Sequence, residues 1–370
     1  MSHALARSRP AAALAAPRAP RALASLGLLT FGLLGAGVAD PAAPPAAAAP
    51  SVVVQRDVLY ATADREPLLL DAYLPSESRR QGRPAVILIH GGGWRAGDKS
   101  AMRDEAQRLA SLGWVAFSVD YRLRTPAAFP AEIEDVQAAV VWARTHAVEY
   151  DVDRARIAAL GASAGGHLAA MLATLGQGPL DTTSRVRAAV SWSGPMVLGD
   201  LVDAAGAGGL ARDVLPCPPR ICPDQWAAAS PITYVDPTDA PIFLANSTDE
   251  LVPLAQAQAM ADRLQAAGVV HQLDVLPGHL HAQSYRSQVW PATVQFLSRY
   301  LGPVPRVPPV ADLRPSDSAV AAPSPSPSSG KSSGSSGGLG WLVGGVAAVV
   351  VGGSAAFAYG ARRRRPRSST

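Results

Sequence analysis

The sequence predicts an α/β protein whose mostly parallel central sheet carries helices on both faces. Short apolar runs that suit strands alternate with segments whose apolar residues recur at helical spacing, from residue 52 to residue 300. The run 85–89 is apolar throughout, as in a strand that is buried on both sides. Between residues 199 and 234 the alternation breaks, and the Gly and Pro residues there indicate an insertion.

Turn and capping residues separate the elements in chain order. Residues 64–67 supply a turn between the first two strands, Gly113 and Gly268 end helices, and Pro130 stands at the start of a helix. The predicted strands span residues 52–61, 68–74, 85–89, 114–120, 156–160, 186–192, 241–245 and 269–276. The predicted helices span residues 99–111, 130–148, 165–175, 254–267 and 288–300.

The basic charge lies at the two ends of the chain. The 370 residues carry a formal net charge of +4, and 48% of them are hydrophobic and 17% charged, which excludes a mainly disordered chain. Residues 1–39 and 341–370 contain Arg but neither Asp nor Glu, so the segment between them is net acidic. This distribution gives no support to nucleic-acid binding.

The N-terminal segment has the pattern of an export signal. Four Arg residues precede an uncharged apolar run that ends in small residues at Gly37 and Ala39. Residues 1–39 are therefore predicted to be a secretory signal peptide, followed by a Pro/Ala-rich linker at 40–51. Whether the signal is cleaved or retained as an anchor stays open, because the run is about as long as a marginal membrane span.

The C-terminal segment predicts a membrane anchor. Residues 339–361 are apolar or small and uncharged, and four consecutive Arg residues follow at once. By the positive-inside rule this is a transmembrane helix with a basic cytoplasmic tail at 362–370. A linker at 302–338, rich in Pro, Ser and Gly, is expected to hold the globular body, residues 52–301, on the extracytoplasmic side of the cell membrane.

Cys217 and Cys222 are the only cysteines. In an exported protein a close pair favours a disulfide, with free thiols as the alternative. No further metal-ligand pattern lies nearby, so no metal is predicted.

A serine stands where a nucleophile would be expected. Gly161, Ser163 and Gly165 form a Gly-x-Ser-x-Gly motif between a predicted strand and a predicted helix. A sharp strand-to-helix turn lifts the serine hydroxyl clear of the sheet, and the glycines remove side chains that would clash there. The helix N-terminus behind the serine stabilises developing negative charge.

A glycine-rich loop follows the strand at 85–89. It reads His90, Gly91, Gly92, Gly93 and Trp94. Its exposed N–H groups, those of Gly92 and Gly93, are predicted to form an oxyanion hole together with the N–H of the residue after the serine. The loop lacks the Gly-Lys-Ser/Thr of a phosphate loop and the Rossmann glycine pattern, so no cofactor is predicted. The residue after the serine is Ala164.

The serine motif and the glycine-rich loop resemble those of the α/β-hydrolase fold. The resemblance extends to Asp120-Tyr121-Arg122 and to Asp153-x-x-Arg156-Ile157. The resemblance is to the esterase/lipase branch that includes hormone-sensitive-lipase-like and feruloyl-esterase-like enzymes, and it covers residues 52–301. It implies a serine esterase that cleaves small-molecule carboxylic esters through an acyl-enzyme without a cofactor. An amidase of the arylformamidase kind or a peptidase on the same fold, and a catalytically inactive binding module, remain alternatives.

The resemblance also implies an acid and a histidine after the serine in the chain. The family's Asp-x-x-Val-Pro context selects Asp249, with Glu250 as the rival carboxylate, and its Gly-x-x-His pattern selects His281 over His279. His90 and His167 are expected to be structural. Trp94 is expected either to pack or to help the 199–234 insertion select substrate, while the natural substrate, acyl chain length and oligomeric state stay open.

Overall fold

The computed structural model describes residues 51–76, 82–123, 129–204, 206, 208–212 and 214–302. The predicted signal segment, membrane helix and basic tail lie outside these residues, as does nearly all of both linkers. Within the described ranges, no helix has the length and apolar character needed to cross a membrane.

One eight-stranded sheet forms the centre of the described body, in the order β1-β2-β4-β3-β5-β6-β7-β8. The first two strands form an antiparallel hairpin, β2 pairs antiparallel with β4, and every other neighbouring pair is parallel. The strands are β1 Val52–Ala63, β2 Glu66–Pro75, β3 Arg83–Ile89, β4 Val115–Val119, β5 Val152–Ala162, β6 Ala189–Trp192, β7 Ile242–Ser247 and β8 His271–Leu276.

Eight α-helices accompany the sheet in the described residues. They are α1 Arg103–Ser111, α2 Ala131–Thr145, α3 Ala164–Leu175, α4 Leu198–Leu201, α5 Gly208–Ala211, α6 Pro223–Ala228, α7 Leu254–Ala267 and α8 Arg286–Leu301. The prediction of a mostly parallel α/β sheet is confirmed, with element ends shifted by a few residues. One predicted helix begins differently, because its first turn, Lys99–Met102, is a 3₁₀ helix.

The core has two apolar layers, one on each side of the sheet. Strand β3 contributes side chains to both layers, because its successive side chains point to opposite faces of the sheet. Ile87 and Ile89 belong to the layer beneath α2, α3 and α7, whereas Val86 and Leu88 belong to the layer beneath α1 and α8. All four side chains have no exposed surface, which explains why the strand is apolar at every position.

The parallel strands bring their carboxyl ends to one edge of the sheet. Adjacent ends lie level, since Ala162 of β5 pairs with Trp192 of β6, which in turn pairs with Ala245 of β7. The segments that follow β3, β5, β6, β7 and β8 therefore meet at this edge, as parallel topology requires. The insertion contributes α4, α5 and α6, and it forms a third apolar cluster with Trp94 and Ala164.

Candidate active site

Ser163 occupies a strained turn between β5 and α3. Its backbone has φ 54° and ψ −119°, a conformation that typically costs about 1–3 kcal/mol in a non-glycine residue. The turn is held by two backbone hydrogen bonds: Ser163 N donates to Trp192 O (2.7 Å), and His167 N donates to Ser163 O (3.0 Å). A Cβ on Gly161 would overlap the carbonyl of Gly165, so the motif glycine is required by close approach. The serine side chain remains half-buried rather than sealed in the core.

The glycine-rich loop packs directly against this turn. A Cβ placed on Gly91 would lie 2.9 Å from Ala162 O and 3.3 Å from Ser163 Cβ. Behind the loop, His90 Nδ1 donates to Gly91 O (2.7 Å), and its ring stacks on Tyr121 at 4.4 Å between centroids. Tyr121 in turn donates its hydroxyl proton to His90 O (3.0 Å). Burial lowers the pKa of His90, so its neutral imidazole supports the loop.

Trp94 and His167 join the loop to the helix and the insertion. Trp94 is buried, and its Nε1 donates to His167 Nδ1 (3.3 Å), while His167 Nε2 donates to Ala229 O (2.7 Å). Burial lowers the pKa of His167 to about 4, which keeps Nδ1 free to accept the indole proton. Trp94 therefore packs as part of the scaffold in this structure.

The acid partner of the histidine is Glu250, which corrects the predicted Asp249. His281 Nδ1 donates to Glu250 Oε2, and the Glu250 side chain has 0% exposure, whereas Asp249 is exposed. The turn after β7 is anchored by Asp249 N donating to Gly278 O (2.9 Å), in the loop after β8, and it directs residue 250 inward. Of the two candidate histidines, His279 is exposed and His281 makes the carboxylate contact.

This pairing orients the imidazole of His281. Since Nδ1 donates to the carboxylate, the neutral ring presents Nε2 as an acceptor. Glu250 Oε1 accepts two further hydrogen bonds, from Ser247 N (2.8 Å) and Ser193 Oγ (2.9 Å). A buried carboxylate with three donors is held in one position and is suited to balance a positive charge on the ring.

Neighbouring polar groups tie the acid loop to the histidine loop. Ser247 Oγ donates to Leu280 O (2.6 Å), and Asn246 Nδ2 donates to Val252 O (3.0 Å). Neither these residues nor Ser193 were predicted from the sequence to belong to the site. Their position could have indicated a place in the site, because each of these polar residues lies at or just after the carboxyl end of a parallel strand.

The insertion lies against the glycine-rich loop. Leu210 of α5 reaches to 2.9 Å from the position of a Cβ on Gly93, and Arg95 Nη2 donates to Gly209 O (2.8 Å). Cys217 and Cys222 form a disulfide in this insertion. Among the described residues, no group of three or more His, Cys, Asp or Glu side chains is arranged to hold a metal ion.

The sheet order, the serine turn and the pairing of buried Glu250 with His281 together define a protein of the α/β-hydrolase fold. The model of the BD-FAE family matches residues 70–264, just over half of the chain. The chain belongs to the BD-FAE family.

Two Mycobacterium tuberculosis proteins are similar in sequence. The probable carboxylic ester hydrolase LipM is 32% identical over 193 residues, which cover 49% of this chain and 45% of LipM. Esterase LipC is 31% identical over 250 residues, which cover 61% of each chain. The matches therefore span about half to three fifths of these relatives.

Solved structures of esterases share the fold. A truncated form of a carbohydrate esterase from gut microbiota is 26% identical with a TM-score of 0.59, covering 70% of this chain and 99% of that one. Native esterase 2 of Thermogutta terrifontis is 25% identical with a TM-score of 0.57, covering 71% of this chain and 97% of that one.

Proposed function

We propose that this protein hydrolyses carboxylic esters, with Ser163 as nucleophile, His281 as general base and Glu250 as the acid that orients the histidine. The observation that carries the proposal is the fully buried Glu250 carboxylate on His281 Nδ1, at the sheet edge where the strained turn presents Ser163. The similar proteins LipM and LipC bear the names of ester hydrolases, which supports the same reaction class.

The reaction follows from these roles. His281 Nε2 removes the hydroxyl proton as Ser163 Oγ attacks the ester carbonyl carbon, and Glu250 balances the charge on the imidazolium. The N–H groups of Gly92, Gly93 and Ala164 stabilise the oxyanion. The ester C–O bond then breaks, the alcohol takes the proton from His281, and the acyl group stays on Ser163. A water molecule, deprotonated by His281, releases the acid by the reverse steps.

The test is Ser163→Ala, assayed with p-nitrophenyl acetate and p-nitrophenyl butyrate. We expect kcat to fall by at least about 10³-fold, because the other groups alone retain little catalysis. A fluorophosphonate probe should label the wild type and not the variant. Unchanged ester turnover in Ser163→Ala overturns the proposal. Turnover of N-formylkynurenine with none of esters would instead assign the same residues to an amidase.

We also propose that the natural substrate is a small-molecule ester. One class to assay is carbohydrates that carry acyl esters. The support is the named activity of the similar carbohydrate esterase. Acetylated xylose and p-nitrophenyl acetate can be compared at equal enzyme concentration. No release of acetate from acetylated xylose by enzyme that turns over p-nitrophenyl acetate would exclude this class.

We further propose that the body is exported and tethered to the membrane by the helix at 339–361. The support is the basic–apolar–small pattern at 1–39, the Arg cluster after residue 361 and the disulfide in an insertion of the body. A chain that stops at residue 338 should appear in the medium, whereas the full chain should stay in the membrane fraction and be digested by protease added to intact cells. Retention of both chains inside the cell contradicts the proposal.

A further inference from the structure

A second buried serine contacts both partners of the Glu–His pair. Ser193 follows β6, has φ 51° and is fully buried. Its Oγ donates to Glu250 Oε1 (2.9 Å) and accepts from the N–H of Ala282 (2.9 Å), the residue directly after His281. One hydroxyl oxygen therefore bridges the carboxylate and the backbone that carries the imidazole.

Tyr285 completes the surroundings of this hydroxyl. Its Oη lies 2.7 Å from Ser193 Oγ and 2.8 Å from the backbone carbonyl oxygen of Ala245 in β7. Burial raises the pKa of Tyr285 well above its ordinary value, so the phenol keeps its proton over the working pH range.

The protons in this cluster can be assigned by counting donors. An ionised Glu250 only accepts, so the single Ser193 hydroxyl proton points to Oε1. The Tyr285 hydroxyl has one proton for two acceptors, Ser193 Oγ and Ala245 O, and Ala245 O already accepts from Ser193 N. When the tyrosine donates to Ser193 Oγ, the two lone pairs of this oxygen face the Ala282 N–H and the Tyr285 hydroxyl. With the tyrosine proton on Ser193 Oγ, the serine hydroxyl donates to the charged Glu250 and accepts from both neighbours, and the two hydroxyls polarise toward the carboxylate.

We propose that Ser193, supported by Tyr285, is a positioning residue that holds Glu250 and His281 in register with each other. The proposal rests on the proposed function, since it concerns the same acid and base. Loss of the Ser193 hydroxyl leaves Glu250 Oε1 with the Ser247 N–H alone and leaves the Ala282 N–H without its acceptor. Both the carboxylate and the histidine loop then gain freedom, although neither reacting group has been removed.

The experiment compares Ser193→Ala and Ser193→Gly with Ser191→Ala in the full-length protein. Glycine suits the positive φ of residue 193, so that variant removes the hydroxyl without straining the fold. Ser191 is the matched control: it is buried in β6, two residues before Ser193, and its Oγ makes no hydrogen bond to a described residue. Kinetics on p-nitrophenyl acetate are combined with ¹H NMR of the far-downfield proton shared by His281 and Glu250.

We expect both Ser193 variants to lower kcat about 10- to 100-fold with KM unchanged within about twofold, because misplacement of a catalytic group slows the chemical step rather than ground-state binding. The shared proton should move upfield in both variants and keep its wild-type position in Ser191→Ala. Wild-type kcat in both Ser193 variants overturns the proposal. A loss of kcat with an unchanged proton resonance overturns it too, since that result indicates general destabilisation.

The Ser163→Ala result separates this proposal from the one on which it rests. If Ser163→Ala keeps full ester turnover, the proposed function fails whatever the Ser193 variants do. If Ser163→Ala is inactive while both Ser193 variants behave like the wild type, only the role of Ser193 is rejected.

Discussion

Glu250 contacts His281 with a carboxylate that has no exposed surface, while the imidazole keeps 26% of its surface exposed. The pair thus has a buried end and an accessible end. The buried end is surrounded by fixed donors from Ser247 and Ser193, which replace the water that a carboxylate loses on burial. The accessible end is where a substrate must meet the ring, as expected for a general base.

Replacing the acid should separate its role from that of its exposed neighbour. We expect Glu250→Gln to lower kcat on p-nitrophenyl acetate by about 10³- to 10⁴-fold, because an amide no longer selects the imidazole tautomer that donates from Nδ1. Asp249→Asn is the matched control, one residue earlier in the same turn, and should stay within about threefold of the wild type. A large loss in Asp249→Asn with near-normal Glu250→Gln would reinstate the acid predicted from the sequence.

Much of the fold was predictable because its signals are local. The apolar run at 85–89, the glycines around Ser163 and the helix end at Gly268 each express one steric or burial requirement. Parallel topology then brings the loops after the strands to one edge, so the serine, the glycine loop and the histidine loop were all located from sequence.

The acid was misassigned because its identity depends on a turn rather than on a motif. Asp249 and Glu250 are adjacent in the chain. Which of the two carboxylates faces His281 is set by the hydrogen bond from Asp249 N to Gly278 O, which joins the turn to the loop after β8. Ser193 was missed for a similar reason, since its contacts with Glu250 and Ala282 join residues far apart in the chain. Such long-range hydrogen bonds leave no periodic pattern in a single sequence.

The disulfide should stabilise the insertion. Trp226 Nε1 donates to Cys217 O (2.8 Å), and Trp226 belongs to the apolar cluster that contains Trp94. We expect the Cys217→Ser/Cys222→Ser double variant to lose about 2 kcal/mol of unfolding free energy, the amount for a short closed loop. Chemical unfolding checks this, with dithiothreitol expected to destabilise the wild type and leave the double variant unaffected. Equal sensitivity of both proteins to the reductant would exclude the disulfide as the cause.

The burial of His167 should make stability depend on pH. The folded protein keeps this imidazole neutral down to a pKa of about 4, whereas the unfolded chain binds the proton near pH 6.5. The unfolded state therefore holds more protons in this window, so the free energy of unfolding falls as pH drops from about 6.5 toward 4, by up to a few kcal/mol. His167→Gln should flatten this dependence in urea unfolding, and His279→Gln, at an exposed site, should retain it. A wild-type slope in His167→Gln would assign the acid sensitivity to other groups.

Leu210 should limit the acyl chain that the protein accepts. Its side chain is half-buried and reaches to 2.9 Å from the Cβ position of Gly93, one of the proposed oxyanion donors. An ester whose carbonyl oxygen binds at Gly93 would lie close to this side chain, and we predict that its acyl group is the part that meets Leu210. We expect Leu210→Ala to raise the ratio of kcat/KM for p-nitrophenyl hexanoate to that for p-nitrophenyl acetate by at least about threefold. The truncated side chain leaves space in which the extra methylene groups of the hexanoyl chain can be buried. Ile221→Ala, also in the insertion but 74% exposed, is the control and should leave the ratio unchanged. If both variants shift the ratio equally, the effect comes from loosening of the insertion and not from the volume of Leu210.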